Sequence, residues 1–388
     1  MENNYKMLAK TLFGFEDLLA KELTQLGAQQ VKVGVRSVSF VGDKGFMYKA
    51  NLGLRTAIKI LKPIKTFRIV NEEDLYKQVY KMDWSEYLKS SGTLAVSSTV
   101  NSKQFTHSQY ISLKTKDAIV DKFRDTTGER PNVDLRFPDL KINVHIDRQL
   151  CTISLDSSGE SLHKRGYKTA TNIAPINEVL AAGLIMLSGW DGQTDFMDPM
   201  CGSGTMLVEA AMIACNIPPN LMRKEFGFER WNDWDVELFE KIEESLLKKT
   251  RDFHHRLLGF DKSPSAVAKA KENLKNAHLE EFATIKHEDF FKTRKGGEEK
   301  LHMVFNPPYG ERLDNLDVKD FYGKIGDTLK QGYPGTDAWL VTSNLEALKF
   351  VGLRPSRKIK VFNAKLEARF VKYEMYAGSK KGKYLKKD

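Results

Sequence analysis

The chain has 388 residues, 61 Lys and Arg against 51 Asp and Glu, and a formal net charge of +10. At 41% hydrophobic and 29% charged it is too apolar for wholesale disorder and long enough for two or three domains. No apolar run reaches the roughly 18–20 residues that span a bilayer, the N-terminus lacks the apolar core of a signal peptide, and Cys151, Cys201 and Cys215 stand at no metal-binding or disulfide spacing, so a reduced, cytoplasmic protein is expected.

In chain order, Leu8–Leu12 reads as a strand. Phe15, Leu18, Leu19 and Leu23 have helical spacing, with Gly27 as a stop. Val31–Val35 and Val38–Val41 alternate like hairpin strands, and a second helix starts near Phe46. This order predicts a ferredoxin-like unit over residues 1–65. A second α/β block follows over 66–160. It has a capped helix start at Asn71, a strand from Leu94, a helix over Ser108–Arg124 and a strand pair at Lys141–Ile146 and Cys151–Leu155. From 161 to 379 helical stretches alternate with short apolar strands, as in a doubly wound, Rossmann-like domain. Residues 380–388 form a Lys-rich tail. Charge divides along these lines: 27 basic and 19 acidic residues in 1–170, five Lys and one Asp in 380–388, but 29 basic and 31 acidic between. A surplus confined to the ends hints at a polyanion partner.

The chemistry concentrates in the third block. A strand ending at Asp198 runs into the turn Pro199-Met200-Cys201-Gly202-Ser203-Gly204, and a helix opens at Thr205. Glycines there let the backbone pass close to a ligand, and the carboxyl end of a strand is where open α/β sheets bind one. The turn is neither a full G-x-G-x-x-G nor a phosphate-binding Gly-Lys-Ser/Thr loop. The next strand, Leu257–Asp261, ends in a second acid followed by Lys262. Ser263 and Pro264 serve as helix cap and first helical residue, which leaves the Asp261 carboxylate for a ribose diol. Asp289 follows a third strand, where it could meet the amino edge of an adenine. A fourth strand ends in Asn306-Pro307-Pro308-Tyr309. Two prolines stop the ladder, Asn306 and a proline carbonyl offer acceptors, and Tyr309 offers a stacking face. That set suits a planar substrate with an exocyclic –NH₂ and an electrophilic methyl donor, with orientation rather than a strong base carrying the rate. His254-His255 lacks a third ligand and is read as structural, so no metal is expected.

These segments resemble class I methyltransferases dependent on S-adenosyl-L-methionine. With Leu162-His-Lys-Arg-Gly-Tyr-Lys168, Ala174-Pro-Ile-Asn-Glu178 and Phe226-Gly-Phe-Glu-Arg-Trp231, the run resembles the THUMP-domain RNA guanine-N2 methyltransferases. Within them it is similar to the bacterial RlmL group, which makes N2-methylguanosine in 23S ribosomal RNA. The resemblance implies a ferredoxin-like domain, a THUMP domain and a Rossmann-like catalytic domain, with S-adenosyl-L-homocysteine as coproduct. It places Asp198 to Thr205, Asp261, Lys262 and Asp289 at the cofactor and Asn306 to Tyr309 at the target base. It leaves His163, Arg165, Tyr167 and Arg312 as candidate RNA or cofactor contacts. Lys103, with Asn101, Gln104, Thr106, His107 and Ser108 around it, is the candidate sugar-phosphate face. The expected partner is RNA bound by a monomer or weak oligomer away from membranes. Transfer RNA, another –NH₂ acceptor such as DNA adenine or cytosine or a protein glutamine, and a non-catalytic assembly factor are the alternatives.

Overall fold

A computed structural model describes residues 4–169, 176–308 and 318–376. The chain divides into two compact units that are not contiguous in sequence. The first comprises the chain up to Thr11, Leu19–Leu162 and Arg223–Ser245; the second comprises Leu12–Leu18, His163–Met222 and the chain from Leu246.

The first unit is built on one eight-stranded sheet. Its elements are β1 (Tyr5–Thr11), α1 (Glu16–Leu26, which begins in the second unit), β2 (Gln29–Gly34), β3 (Ser37–Gly42), α2 (Lys44–Gly53), β4 (Ala57–Arg68), α3 (Glu72–Tyr80), β5 (Thr93–Asn101), α4 (Ser108–Thr127), β6 (Asn132–Val133), β7 (Leu140–Asp147) and β8 (Leu150–Asp156), with strand order β2-β3-β1-β4-β8-β7-β5-β6. The anticipated ferredoxin-like and second α/β blocks thus share a sheet. The 12-residue β4 runs across position 65 and pairs antiparallel with β1 on one side and β8 on the other. Its register shifts between Pro63 and Lys65, as expected where a proline removes a ladder donor. Alternation decides the buried face: Leu140, Ile142, Val144 and Ile146 of β7 are buried and the residues between them are not. Asn71 caps α3 by accepting from Asp74 N, as anticipated, and Gly128 ends α4 in the left-handed conformation. Residues 223–245 complete this unit with aromatic side chains. Phe228, Trp234 and Phe239 surround buried Tyr48 at ring separations of 4.5, 5.3 and 5.9 Å.

The second unit contains α5 (Glu178–Ser188), β9 (Asp195–Asp198), α6 (Thr205–Ala214), the end of α7 (Val236–Leu247), β10 (Leu257–Asp261), α8 (Pro264–Asn276), β11 (Ala283–His287), β12 (Leu301–Phe305), α9 (Val318–Gly332), β13 (Thr336–Thr342), β14 (Arg357–Asn363) and β15 (Leu366–Glu374). Its sheet order is β11-β10-β9-β12-β13-β15-β14. All neighbours from β11 to β13 are parallel, while β15 is antiparallel to both of its neighbours. The central β9 and β12 are buried along their whole length, as strands covered on both faces must be. Helices α5 and α6 are apolar nearly all round and pack together in the core on one face. Phe15 belongs to this core, not to the first unit: its ring lies where a side chain on Gly183 of α5 would sit, 2.1 Å from the position of the missing Cβ. Among the described residues no helix is long and apolar enough to cross a membrane.

Candidate active site

Strand order brings the sequence-predicted acids together. Adjacent parallel strands β11, β10, β9 and β12 end at one edge of the sheet, and the first ligand-type residue of each segment stands at or just past that end. Asp198 closes β9, Asp261 closes β10, Asp289 lies two residues beyond β11, and Asn306 follows Phe305, the last residue of β12. Here β9 is flanked by β10 and β12, so the order reverses at it, the switch point where open α/β sheets bind ligands.

The turn after β9 is fastened on several sides. Cys201 N donates to Phe260 O (2.8 Å), Gly204 N to Cys201 O (2.8 Å) and Gly202 N to Asp261 Oδ2 (3.0 Å). The other Asp261 oxygen accepts from Ser263 N (2.9 Å), whose own side chain caps α8. Each Asp261 oxygen keeps a second lone pair for a ligand hydroxyl. Gly202 and Gly204 have φ of +55° and +79°, in the left-handed region that favours glycine. A Cβ on Gly204 would also stand 3.1 Å from Ala270 Cβ, so α8 forms the back wall of the turn. The hydroxyl of Thr205, the first residue of α6, is buried without a hydrogen-bond partner. Pro199, Cys201 and Ser203 are buried in the turn; Lys262 is exposed, with its carbonyl 3.0 Å from His287 Nε2. Asp289 accepts from Phe291 N (3.1 Å) as the cap of a short 3₁₀ turn. Three carboxyls at strand ends, an orphaned hydroxyl and the amide-rich start of α6 are a donor and acceptor set that fits a nucleoside carrying a charged amino-acid arm.

Asp198 is only 2% exposed. Burial first, and then the like charge of Asp261, push its carboxyl up to about 8, against a bond from Met200 N that pulls the other way. The folded chain thus keeps a proton that the unfolded chain loses near its ordinary value of 3.8. Stability without ligand should fall as pH rises from about 4 to about 8, and Asp198→Asn should flatten that slope. Urea midpoints of both proteins across this range are the measurement; parallel curves would remove Asp198 as the source.

Asn306 and Pro308 are half-buried and Pro307 is buried. Tyr309 and Arg312 lie outside the described residues, as do Ala174 and the Lys-rich tail. Two expected contact residues need correction. Arg165 and Tyr167 are each 1% exposed and face the interior of the second unit. Arg165 Nε donates to Glu209 Oε1 (3.4 Å) and its Nη1 to Asn220 Oδ1 (3.2 Å), and the Tyr167 hydroxyl donates to the same Glu209 oxygen (3.1 Å). A guanidinium buried on a carboxylate is not available to RNA phosphate. His163 is half-buried, and burial holds its imidazole below the usual value. Lys103 is exposed in the loop after β5, Asn101 is tied to Asp147 (2.9 Å), and Gln104 donates to the Val70 carbonyl. The sequence reading passed over Asn273, which is fully buried and donates to Ser203 O in the turn (2.9 Å).

A mostly parallel sheet of this order, with acids and a glycine turn at its carboxyl edge and Asn-Pro-Pro after the fourth of these strands, defines a class I methyltransferase. Residues 165–372 match the RMKL-like methyltransferase domain, 70–156 the THUMP domain and 6–61 the RlmL ferredoxin-like domain, and the chain belongs to the RMKL-like methyltransferase family. It is 38% identical to the Synechocystis protein named "Putative RNA methyltransferase slr0064", over 94% of this chain and 95% of that one. It is 35% identical to the ribosomal RNA large subunit methyltransferase K/L of Syntrophotalea carbinolica, over 97% of this chain and 54% of that protein. The chain therefore spans about half the length of the K/L enzymes it matches. Among solved structures, a possible methylase from Clostridium difficile 630 superposes with a TM-score of 0.85 at 30% identity, covering 97% of this chain and all of that one. SMU.472, described as "a putative methyltransferase complexed with SAH", gives 0.85 at 29%, covering 98% of this chain and all of that one.

Proposed function

We propose that this chain transfers the methyl group of S-adenosyl-L-methionine to the exocyclic N2 amine of a guanine in RNA, with large-subunit (23S) ribosomal RNA in the cytoplasm as substrate. The observation that supports this most is Asn306-Pro307-Pro308 ending β12 directly beside β9 and its glycine turn, in a chain of the RMKL-like family. The cofactor supplies an electrophilic methyl on a positively charged sulfur. The Asn306 side-chain oxygen and the Pro307 carbonyl accept the two hydrogens of the amine and draw the nitrogen out of conjugation, so that its lone pair points at the methyl carbon. With the methyl donor bound, the amine nitrogen would take the methyl carbon from the sulfonium, leaving a neutral thioether, and would give its surplus proton to solvent. Asp198, Asp261 and Asp289 hold the cofactor, and the basic N-terminal block, residues 1–170, grips the RNA backbone while an unpaired or flipped base enters the site.

Incubation with methyl-labelled cofactor and unmethylated large-subunit ribosomal RNA, followed by nucleoside mass spectrometry, tests this. N2-methylguanosine in that RNA is the expected product. The same nucleoside in transfer RNA alone would move the substrate to transfer RNA, and the absence of methylated guanine from both pools would overturn the proposal.

A further inference from the structure

The turn that follows β9 is held from its front by Asp261 and from behind by α8. Two residues of α8 one turn apart, Ala270 and Asn273, meet it: Ala270 by packing against Gly204, Asn273 by a hydrogen bond. The Asn273 side chain is fully buried and its two ends do different work. Its Nδ2 donates to Ser203 O (2.9 Å), and its Oδ1 accepts from Thr169 N (3.3 Å) in the segment that enters the second unit. Only an amide, with donor and acceptor on one carbon, serves both bonds without a buried charge. The Ser203 carbonyl belongs to the peptide whose N–H, on Gly204, bonds to Cys201 O. Both ends of that peptide are therefore tied down immediately before α6, whose first residue, Thr205, has a buried hydroxyl without a hydrogen-bond partner.

We propose that Asn273 is a positioning residue for the cofactor turn. By holding the Ser203 carbonyl against α8, it fixes the neighbouring amides of the turn for binding. This rests on the cofactor assigned above. The role differs from general packing, and a neighbour on the same helix separates the two. Asn276 Nδ2 donates to Tyr167 O (3.2 Å) and to Thr169 Oγ1 (2.7 Å), so it fastens the same entry segment without touching the turn.

Calorimetric titration of the full chain with S-adenosyl-L-homocysteine, alongside melting of the ligand-free protein, is the test. Asn273→Ala should weaken binding by about tenfold or more, the scale of one lost buried hydrogen bond with its partner left unpaired. It should raise KM for the methyl donor while kcat at saturation stays within about threefold. Asn276→Ala should bind like the wild type. If Asn273→Ala melts too low to titrate, Asn273→Leu, which keeps the volume and lacks the donor, carries the same comparison. Unchanged affinity in the Asn273 variants, or an equal loss in Asn276→Ala, overturns the assignment. A wild-type chain that binds no S-adenosyl-L-homocysteine overturns the cofactor reading and this one with it.

Discussion

Asn306→Ala should lower methyl transfer by roughly 10²–10³-fold while S-adenosyl-L-homocysteine affinity stays within about twofold. The asymmetry follows from when the bond matters. An exocyclic amine conjugated with its ring is flat in the ground state, and an acceptor beside it gains most as the nitrogen becomes pyramidal and positive. An interaction that strengthens only along the reaction coordinate lowers kcat when it is removed and leaves the cofactor, which the proposed function assigns to the ends of β9, β10 and β11, untouched. Single-turnover kinetics with saturating RNA, paired with a titration of the coproduct, read the two quantities separately. A variant that lost cofactor affinity and kept its rate at saturation would reassign Asn306 from the amine to the cofactor.

Arg165→Ala should destabilise the folded chain by roughly 3–5 kcal/mol, the cost of leaving a buried carboxylate without its cation. The guanidinium and the Glu209 carboxylate it touches are both fully removed from solvent, and the Tyr167 hydroxyl and Asn220 amide bond to them. Replacing both members of the pair, as in Arg165→Met with Glu209→Met, should cost less than Arg165→Ala, because no charge is then stranded. Denaturant unfolding followed by a probe in the second unit is the measurement. A variant with normal stability and weakened RNA affinity would return Arg165 to the contact role that the resemblance implied.

That expectation shows where the sequence was legible and where it was not. Strand ends and turns announce themselves within a few residues. The Asp198-to-Thr205 run, the Ser263–Pro264 cap and the Asn306-Pro307-Pro308 stop were all located by local chemistry, and each sits where expected at the edge of the second sheet. Arg165 was expected at RNA or cofactor because its segment resembles the family's, and that resemblance says nothing of burial or of a partner 44 residues away. The available signal was Glu209 itself, the single charged residue in the otherwise apolar α6, which calls for a buried cation. Asn273 carried a similar mark: an amide in the apolar stripe of α8, in line with Ala266 and Ala270. The division of the helix α1 left no such trace. Phe15 and Leu19 share one hydrophobic stripe, yet they serve different units, and periodicity records that a face is buried without recording against what.

The exchange of residues 12–18 and 223–245 between the units has a consequence during synthesis. A ribosome that has delivered Leu162 has made every strand of the first sheet, but Phe228, Trp234 and Phe239, which close over Tyr48, are still roughly 65–80 residues from being added. At about 5–20 residues per second the nascent first unit waits on the order of several seconds with Tyr48 uncovered. A translational pause between Leu162 and Phe239 would lengthen that exposure without changing a single amino acid.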